Sequence, residues 1–167
     1  MGMVDMSKGK KIINVAVIGA GGRGRGVTCN LLKDSKGNVK VLSIFDPDNA
    51  AALQALDEWK SPSAKICKTY QEAIKTTGVD WVLIFSPNAY HKEHIIAAFD
   101  AGKHVFSEKP LATSVEDCQT INQAHKKSGL TFATGFVLRY APLYQKAKQI
   151  LDSGKIGKIL CLSLIHI

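Results

Sequence analysis

Val15-Ala-Val-Ile-Gly19-Ala-Gly21-Gly-Arg-Gly24 joins an apolar, β-branched run to a glycine-spaced turn. The run starts near residue 12 and shows no alternation of polar and apolar side chains, which predicts a strand buried on both faces over 12–18. Gly19, Gly21 and Gly24 fit G-x-G-x-x-G. That spacing gains weight when it directly follows a buried strand and opens a helix, here expected over 24–32. The first glycine permits the tight turn, the second lets backbone approach a pyrophosphate, and the third lets helix and strand pack closely. The helix N-terminus adds unpaired N–H groups and a positive dipole for phosphates. Gly22 and Arg23 fall inside the loop, and Arg23 is expected to add a cation.

Outward from this loop the pattern repeats. Further strands are predicted over 39–45, 65–67, 81–85, 104–107 and 131–135. Helices are predicted over 50–59, 69–76, 91–101, 114–129 and 143–151. Thr69 can cap the helix it opens, Gly102 stands where a helix C-terminus wants a left-handed residue, and Ser114-Val-Glu-Asp117 resembles a capping box whose helix ends near Gly129. Strands alternating with helices at this spacing predict an α/β fold: a Rossmann doubly wound parallel sheet with helices on both faces.

The bulk numbers are compatible with this. The chain has 167 residues, 46% hydrophobic and 22% charged, which are globular values. The net charge of +8 raises the question of a nucleic-acid partner. The lysines are scattered, however, and no aromatic stacking cluster accompanies them, so neither a nucleic-acid nor a membrane partner is expected. Cys29, Cys67, Cys118 and Cys161 have no C-x-x-C spacing, so reduced thiols and no metal site are expected. No apolar run reaches bilayer-spanning length. A cytoplasmic location is the expectation.

Several residues fall at strand ends, where parallel sheets form their ligand crevice. Asp46 ends the second strand, about twenty residues past the glycine loop, where a carboxylate accepts ribose hydroxyls and repels a 2′-phosphate. NAD is therefore expected over NADP, and a turn aspartate before Pro47 is the competing reading. Ser86-Pro87-Asn88 follows the next strong strand, and His91 opens the helix after it; these are expected to face the cofactor. Glu108-Lys109-Pro110 ends another strand. A lysine there serves a ribose hydroxyl or polarises a substrate hydroxyl, and Lys109–Pro110 is a candidate cis peptide.

Taken in order, Val17-Ile-Gly19-Ala-Gly21, Phe45-Asp-Pro-Asp48, Ser86-Pro-Asn88 with His91, Glu108-Lys-Pro110, and Arg139 before a helix ending Asp152-Ser-Gly-Lys-Ile-Gly157 resemble the Gfo/Idh/MocA oxidoreductases. The resemblance runs from about Ile12 to Ile159. It implies an N-terminal Rossmann domain followed by an α/β domain built on a large open sheet, and hydride transfer between a nicotinamide cofactor and sugars, cyclitols or related hydroxyl compounds. It implies that Lys109 lies beside nicotinamide and substrate as the catalytic lysine, that Asn88 and His91 line the nicotinamide half, and that Arg139 stands nearby. Many members take an acid–base pair of Asp and His from the second domain, a stretch with no counterpart here. Some relatives keep the fold as non-catalytic dinucleotide sensors, which is the alternative function.

The expected organisation is a flexible tail over 1–11, the NAD(P)-binding domain with its following helix over 12–153, and the first strand of a truncated second domain over 154–167. Leu162-Ser-Leu-Ile-His-Ile167 reads as an adapter-derived tail. A sugar or polyol substrate and a homo-oligomer are expected of the full-length protein.

Overall fold

Residues 12–161 are described by a computed structural model. The first strand, β1 (Ile13–Ile18), has Val15, Ala16, Val17 and Ile18 all essentially excluded from solvent. Both faces of β1 are covered, which accounts for its unbroken apolar run. It pairs in parallel with β2 (Val39–Phe45) on one side and β4 (Trp81–Ile84) on the other. With β3 (Lys65–Ile66), β5 (His104–Ser107) and β6 (Phe132–Thr134) the sheet runs β3-β2-β1-β4-β5-β6. All five pairings are parallel, so the doubly wound fold expected from the alternation is the fold observed.

Two cores follow from strand periodicity. On one face Ala16, Ile18, Val82, Ile84 and Val105 meet Ile74 of α3 (Tyr70–Ile74), Ile95 and Phe99 of α4 (His91–Asp100), and Ile121 of α5 (Val115–Ser128). On the other, Val15, Val17, Val41 and Leu83 pack with Ala52, Ala55 and Leu56 of α2 (Asn49–Glu58) and with Trp59. The Trp59 indole N–H donates to the Arg25 carbonyl at 3.0 Å, tying the end of α2 to α1 (Gly22–Asp34).

The caps read from sequence are present. The Ser114 hydroxyl accepts the Asp117 N–H at 3.1 Å, and α5 ends at Gly129 with φ +64°. Thr69 accepts the Glu72 N–H in the same way ahead of α3. The sequence places the start of α1 at Gly24, two residues late. Gly21 is the N-cap, and the Arg25 N–H donates to its carbonyl at 2.9 Å. The glycine loop thus runs straight into the first helical turn, and its low helix propensity hides that in the sequence.

The chain divides into a unit ending at Gly135 and a second one beginning at Phe136, so the last helix belongs to the second unit. Within that unit a 3₁₀ turn, Val137–Tyr140, precedes α6 (Pro142–Asp152). Leu143, Tyr144 and Ile150 of α6 are exposed. The strand expected from Lys158 is not formed over 158–161, where no ladder partner exists among the described residues. The tail at 1–11 and the segment at 162–167 lie outside the described residues. Among the described residues, no helix is long and apolar enough to cross a membrane.

Ile84 sits at the centre of the first core with no exposed surface. Ile84→Ala should cost about 3 kcal/mol, the usual scale for truncating a fully buried isoleucine. Equilibrium denaturant unfolding checks this, and a loss below about 1 kcal/mol would mean the core is not packed as described.

Candidate functional site

The carboxyl ends of β1 and β4 part company where the strand order reverses, and the crevice left there is the natural ligand site of an open parallel sheet. The glycine loop forms its floor. Gly19 has φ +99°, its N–H donates to the Phe45 carbonyl at 2.8 Å, and a Cβ on it would lie 2.7 Å from the Phe85 carbonyl carbon. A Cβ on Gly24 would come within 2.2 Å of the Gly19 carbonyl oxygen, so α1 packs directly on the turn. Gly21 and Gly22 are different. A Cβ on either would meet nothing within 4 Å. Two of the glycines are therefore demanded by the protein's own packing, and two leave open a backbone surface at a helix N-terminus, the kind of surface a pyrophosphate needs.

Beside the loop lies a cleft of about 640 Å³, lined by Gly19, Gly21, Asp46, Ser86, Tyr90 and His94 among others. Asp46 is oriented by the backbone around it. One carboxylate oxygen accepts the Ala20 N–H at 2.6 Å and the other accepts the Asp48 N–H at 2.9 Å. Asp48 in turn caps α2 through the Ala50 N–H. Each carboxylate oxygen can accept two hydrogen bonds and here accepts one, so Asp46 retains acceptor capacity. It is both a turn aspartate and a cleft residue, and the two readings of the sequence are compatible.

The opposite wall is aromatic, and the sequence reading missed most of it. Tyr70 and His94 have ring centroids 4.4 Å apart, and Tyr90 stacks on His94 at 6.0 Å. The Tyr70 hydroxyl donates to Glu93, and the Ser86 hydroxyl stands 2.9 Å from His94 Nδ1. Burial, aided by the Glu93 carboxylate, pushes the Tyr70 hydroxyl up to about 12, so it stays a neutral donor. Burial pushes His94 below its ordinary value, against the pull of Glu93 and with the help of neighbouring His91. One signal was available: His94 follows His91 by three residues, which places both on one face of a helix.

His91 faces inward. It is 1% exposed and is not among the residues lining the cleft. Its Nδ1 lies 2.7 Å from the Pro110 carbonyl and its Nε2 lies 2.9 Å from the Ser86 carbonyl. It braces the loop after β4 against the loop after β5, because a side chain on the first turn of α4 points inward between them. Pro87 and Asn88 are exposed at the mouth, in the short 3₁₀ turn Asn88–Tyr90 or next to it.

Glu108 is buried, and its carboxylate accepts the Arg23 Nε–H at 2.6 Å and the Lys109 backbone N–H at 2.9 Å. The guanidinium expected to serve phosphates is thus turned onto a carboxylate. Lys109–Pro110 is cis, as the sequence predicts. The Lys109 side chain is exposed, with no hydrogen bond or ion pair among the described residues. Arg139 is exposed on the 3₁₀ turn of the second unit.

A parallel sheet with an open glycine loop and a carboxylate at the end of its second strand defines a dinucleotide-binding domain. The comparisons with known proteins give it a family. Residues 13–136 match the Gfo/Idh/MocA oxidoreductase family, described by its NAD-binding Rossmann fold, and the chain belongs to that family. It is 35% identical over 156 residues to an inositol 2-dehydrogenase of Gluconacetobacter diazotrophicus, a match covering 92% of this chain and 45% of that protein. A scyllo-inositol dehydrogenase of Lactobacillus casei, solved with NAD(H) and scyllo-inositol, superposes with TM-score 0.80 at 29% identity, over 88% of this chain and 43% of the other. A myo-inositol 2-dehydrogenase of Lactobacillus plantarum gives TM-score 0.80 at 31% identity, over 90% and 44%. The chain spans less than half the length of these relatives.

The two kinds of glycine make a paired prediction. Gly24→Ala should destabilise the fold by at least about 2 kcal/mol, the range for overpacking against backbone. Gly21→Ala should stay within about 0.5 kcal/mol of the parent and weaken NAD binding instead. Thermal unfolding and a binding titration read the two effects separately, and equal destabilisation by both would refute the distinction. A second prediction concerns pH. The folded value of His94 lies below its ordinary 6.5. The stability contributed by neutral His94 is therefore complete above that pH and is lost as the pH falls toward the depressed folded value. The melting temperature should drop between about pH 7 and pH 5, and His94→Gln should lessen the drop.

Proposed function

We propose that this chain is the dinucleotide-binding half of an NAD-dependent dehydrogenase that moves hydride between the cofactor and a hydroxyl carbon of a sugar, polyol or cyclitol. The observation that carries the reading is the open backbone at Gly21 and Gly22, beside a cleft with Asp46 on its rim. The residues fit the cofactor. Backbone N–H groups of Gly21, Gly22 and the α1 N-terminus hold the pyrophosphate, and the helix dipole favours its charge. Asp46 accepts the ribose hydroxyls with the acceptor capacity left by Ala20 and Asp48, and its charge disfavours NADP. The nicotinamide supplies the hydride acceptor or donor when bound.

The remaining residues position and polarise. Ser86, Pro87 and Asn88 form the mouth on the β4 side, and His91 and Glu108 act by holding loops in place. Lys109 offers an ammonium that has no hydrogen-bond or ion-pair partner among the described residues, just past the end of β5. An ammonium next to a hydroxyl under oxidation stabilises the negative charge that develops on its oxygen. The name inositol 2-dehydrogenase recurs among the relatives, which supports a cyclitol or similar polyol as substrate class. We further propose a cytoplasmic protein that assembles as a homo-oligomer and binds neither nucleic acid nor membrane.

Asp46→Ala should weaken NAD binding about tenfold, the cost of losing a charge-assisted ribose contact, and change NADP binding far less. Titrations of the chain with each cofactor decide this, and equal losses would remove Asp46 from the ribose site. In a version of the protein spanning the length of its relatives, Lys109→Ala should lower kcat for polyols by about 10² to 10⁴, the range for a general acid–base or polarising group. Unchanged turnover would show that Lys109 has no part in the chemistry.

A further inference from the structure

Glu108 presents a problem that hydride transfer does not solve. It is a buried carboxylate close to a loop meant for an anion, and a carboxylate there repels that anion unless its charge is paired. Its partner is Arg23, on the first turn of α1, which approaches one carboxylate oxygen with both Nε and a terminal nitrogen. The other oxygen takes the Lys109 N–H at 2.9 Å. The third side is closed by Gly135, just past β6. A Cβ there would stand 2.9 Å from the carboxylate carbon and from both oxygens, so any side chain larger than glycine's would displace the carboxylate. Gly135 is itself held by its N–H, which donates to the Ser107 carbonyl at 2.9 Å. Three segments far apart in sequence therefore converge on one carboxylate: the start of α1, the cis turn carrying Lys109, and the end of β6.

We propose that Arg23 and Glu108 form a positioning latch that fixes the glycine loop relative to the loop bearing Lys109, and that Arg23 is not a ligand of the pyrophosphate. The inference rests on the dinucleotide reading of the cleft. With its charge answered by Glu108, Arg23 adds little net field at the loop, and the backbone N–H groups and the helix dipole carry the anion. What the pair supplies is geometry. A side chain on one loop that is locked to a carboxylate on the other leaves both loops in one arrangement before the cofactor arrives.

A double-mutant cycle separates latch from ligand, because the two predict opposite signs for Glu108. NAD affinity is measured by calorimetry for the chain itself, Arg23→Gln, Glu108→Gln and the double variant. The latch predicts about a tenfold loss in each single variant and no further loss in the double. A pyrophosphate ligand predicts that Glu108→Gln leaves NAD binding unchanged or tightens it, since a negative charge has been removed and the guanidinium freed. That result, or additive losses, would overturn the proposal. Should the single variants melt early, Gly135→Ala decides: it alters no charge but displaces the carboxylate, and it should weaken NAD to a similar degree. Unchanged affinity in that variant would also overturn the latch. A readout without cofactor keeps the two readings apart. The Arg23 Nε–H should exchange slowly with solvent in the parent and rapidly in Glu108→Gln. If the parent binds no NAD, the dinucleotide reading fails, and this exchange difference still tests the latch; equal exchange rates would refute it.

Discussion

The approach of α1 to β1 across the Gly19–Gly24 contact is the constraint on which the site depends. The Gly24 Cα lies so near the Gly19 carbonyl that even a methyl group would overlap it, and Gly19 presses on the Phe85–Ser86 backbone at the end of β4. This close packing puts the first turn of α1 directly over the carboxyl end of the sheet. Its unpaired N–H groups then face the crevice between β1 and β4. A bulkier turn would lift the helix away, and the same N–H groups would be spent on water. The open side at Gly21 and Gly22 has value only because Gly19 and Gly24 have already brought the backbone that close.

Around this contact, polar side chains do more bracing than the sequence implies. His91, Glu108 and Asp46 all stand at strand ends, as ligand-binding residues do. Yet His91 is sealed between two carbonyl groups, Glu108 is locked by Arg23, and Asp46 is turned by the Ala20 N–H. Strand-end loops lack ladder partners, and their backbone groups must be satisfied by something. Side chains at those positions are the nearest donors and acceptors. What the braces hold in place is the lining of the cleft: the glycine backbone, one side of Asp46 and the aromatic wall around His94.

Most of the architecture was legible in the residue string because it rests on local patterns. Val15–Ile18 and Trp81–Ile84 are apolar without alternation, and both are central parallel strands. Ser114, Thr69 and Gly129 cap where their types predict. The glycine spacing, the aspartate at the end of the second strand and the Glu-Lys-Pro triplet marked the crevice and the family. These features survive reading in one dimension because each is set by neighbours within a few positions, through periodicity, capping chemistry or backbone sterics.

Pairings between distant segments were not legible. Nothing about Arg23 in sequence says that its partner is eighty-five positions away, and a lone arginine in a phosphate loop reads as a phosphate ligand. His91 and His94 look interchangeable as letters on one helix, but the turn of α4 buries the first between carbonyls and gives the second to the cleft. Tyr70 joins that wall from α3, a different crossover altogether. The division after Gly135 was equally hidden, since α6 reads in the residue string as a helix like those before it, and only the contacts of the folded chain set the boundary. Local chemistry determined which elements form and where the crevice opens. The three-dimensional arrangement alone decided which side chains brace it and which face into it, because a hydrogen bond or a salt bridge is a matter of proximity, and proximity between distant residues exists only once the chain has folded.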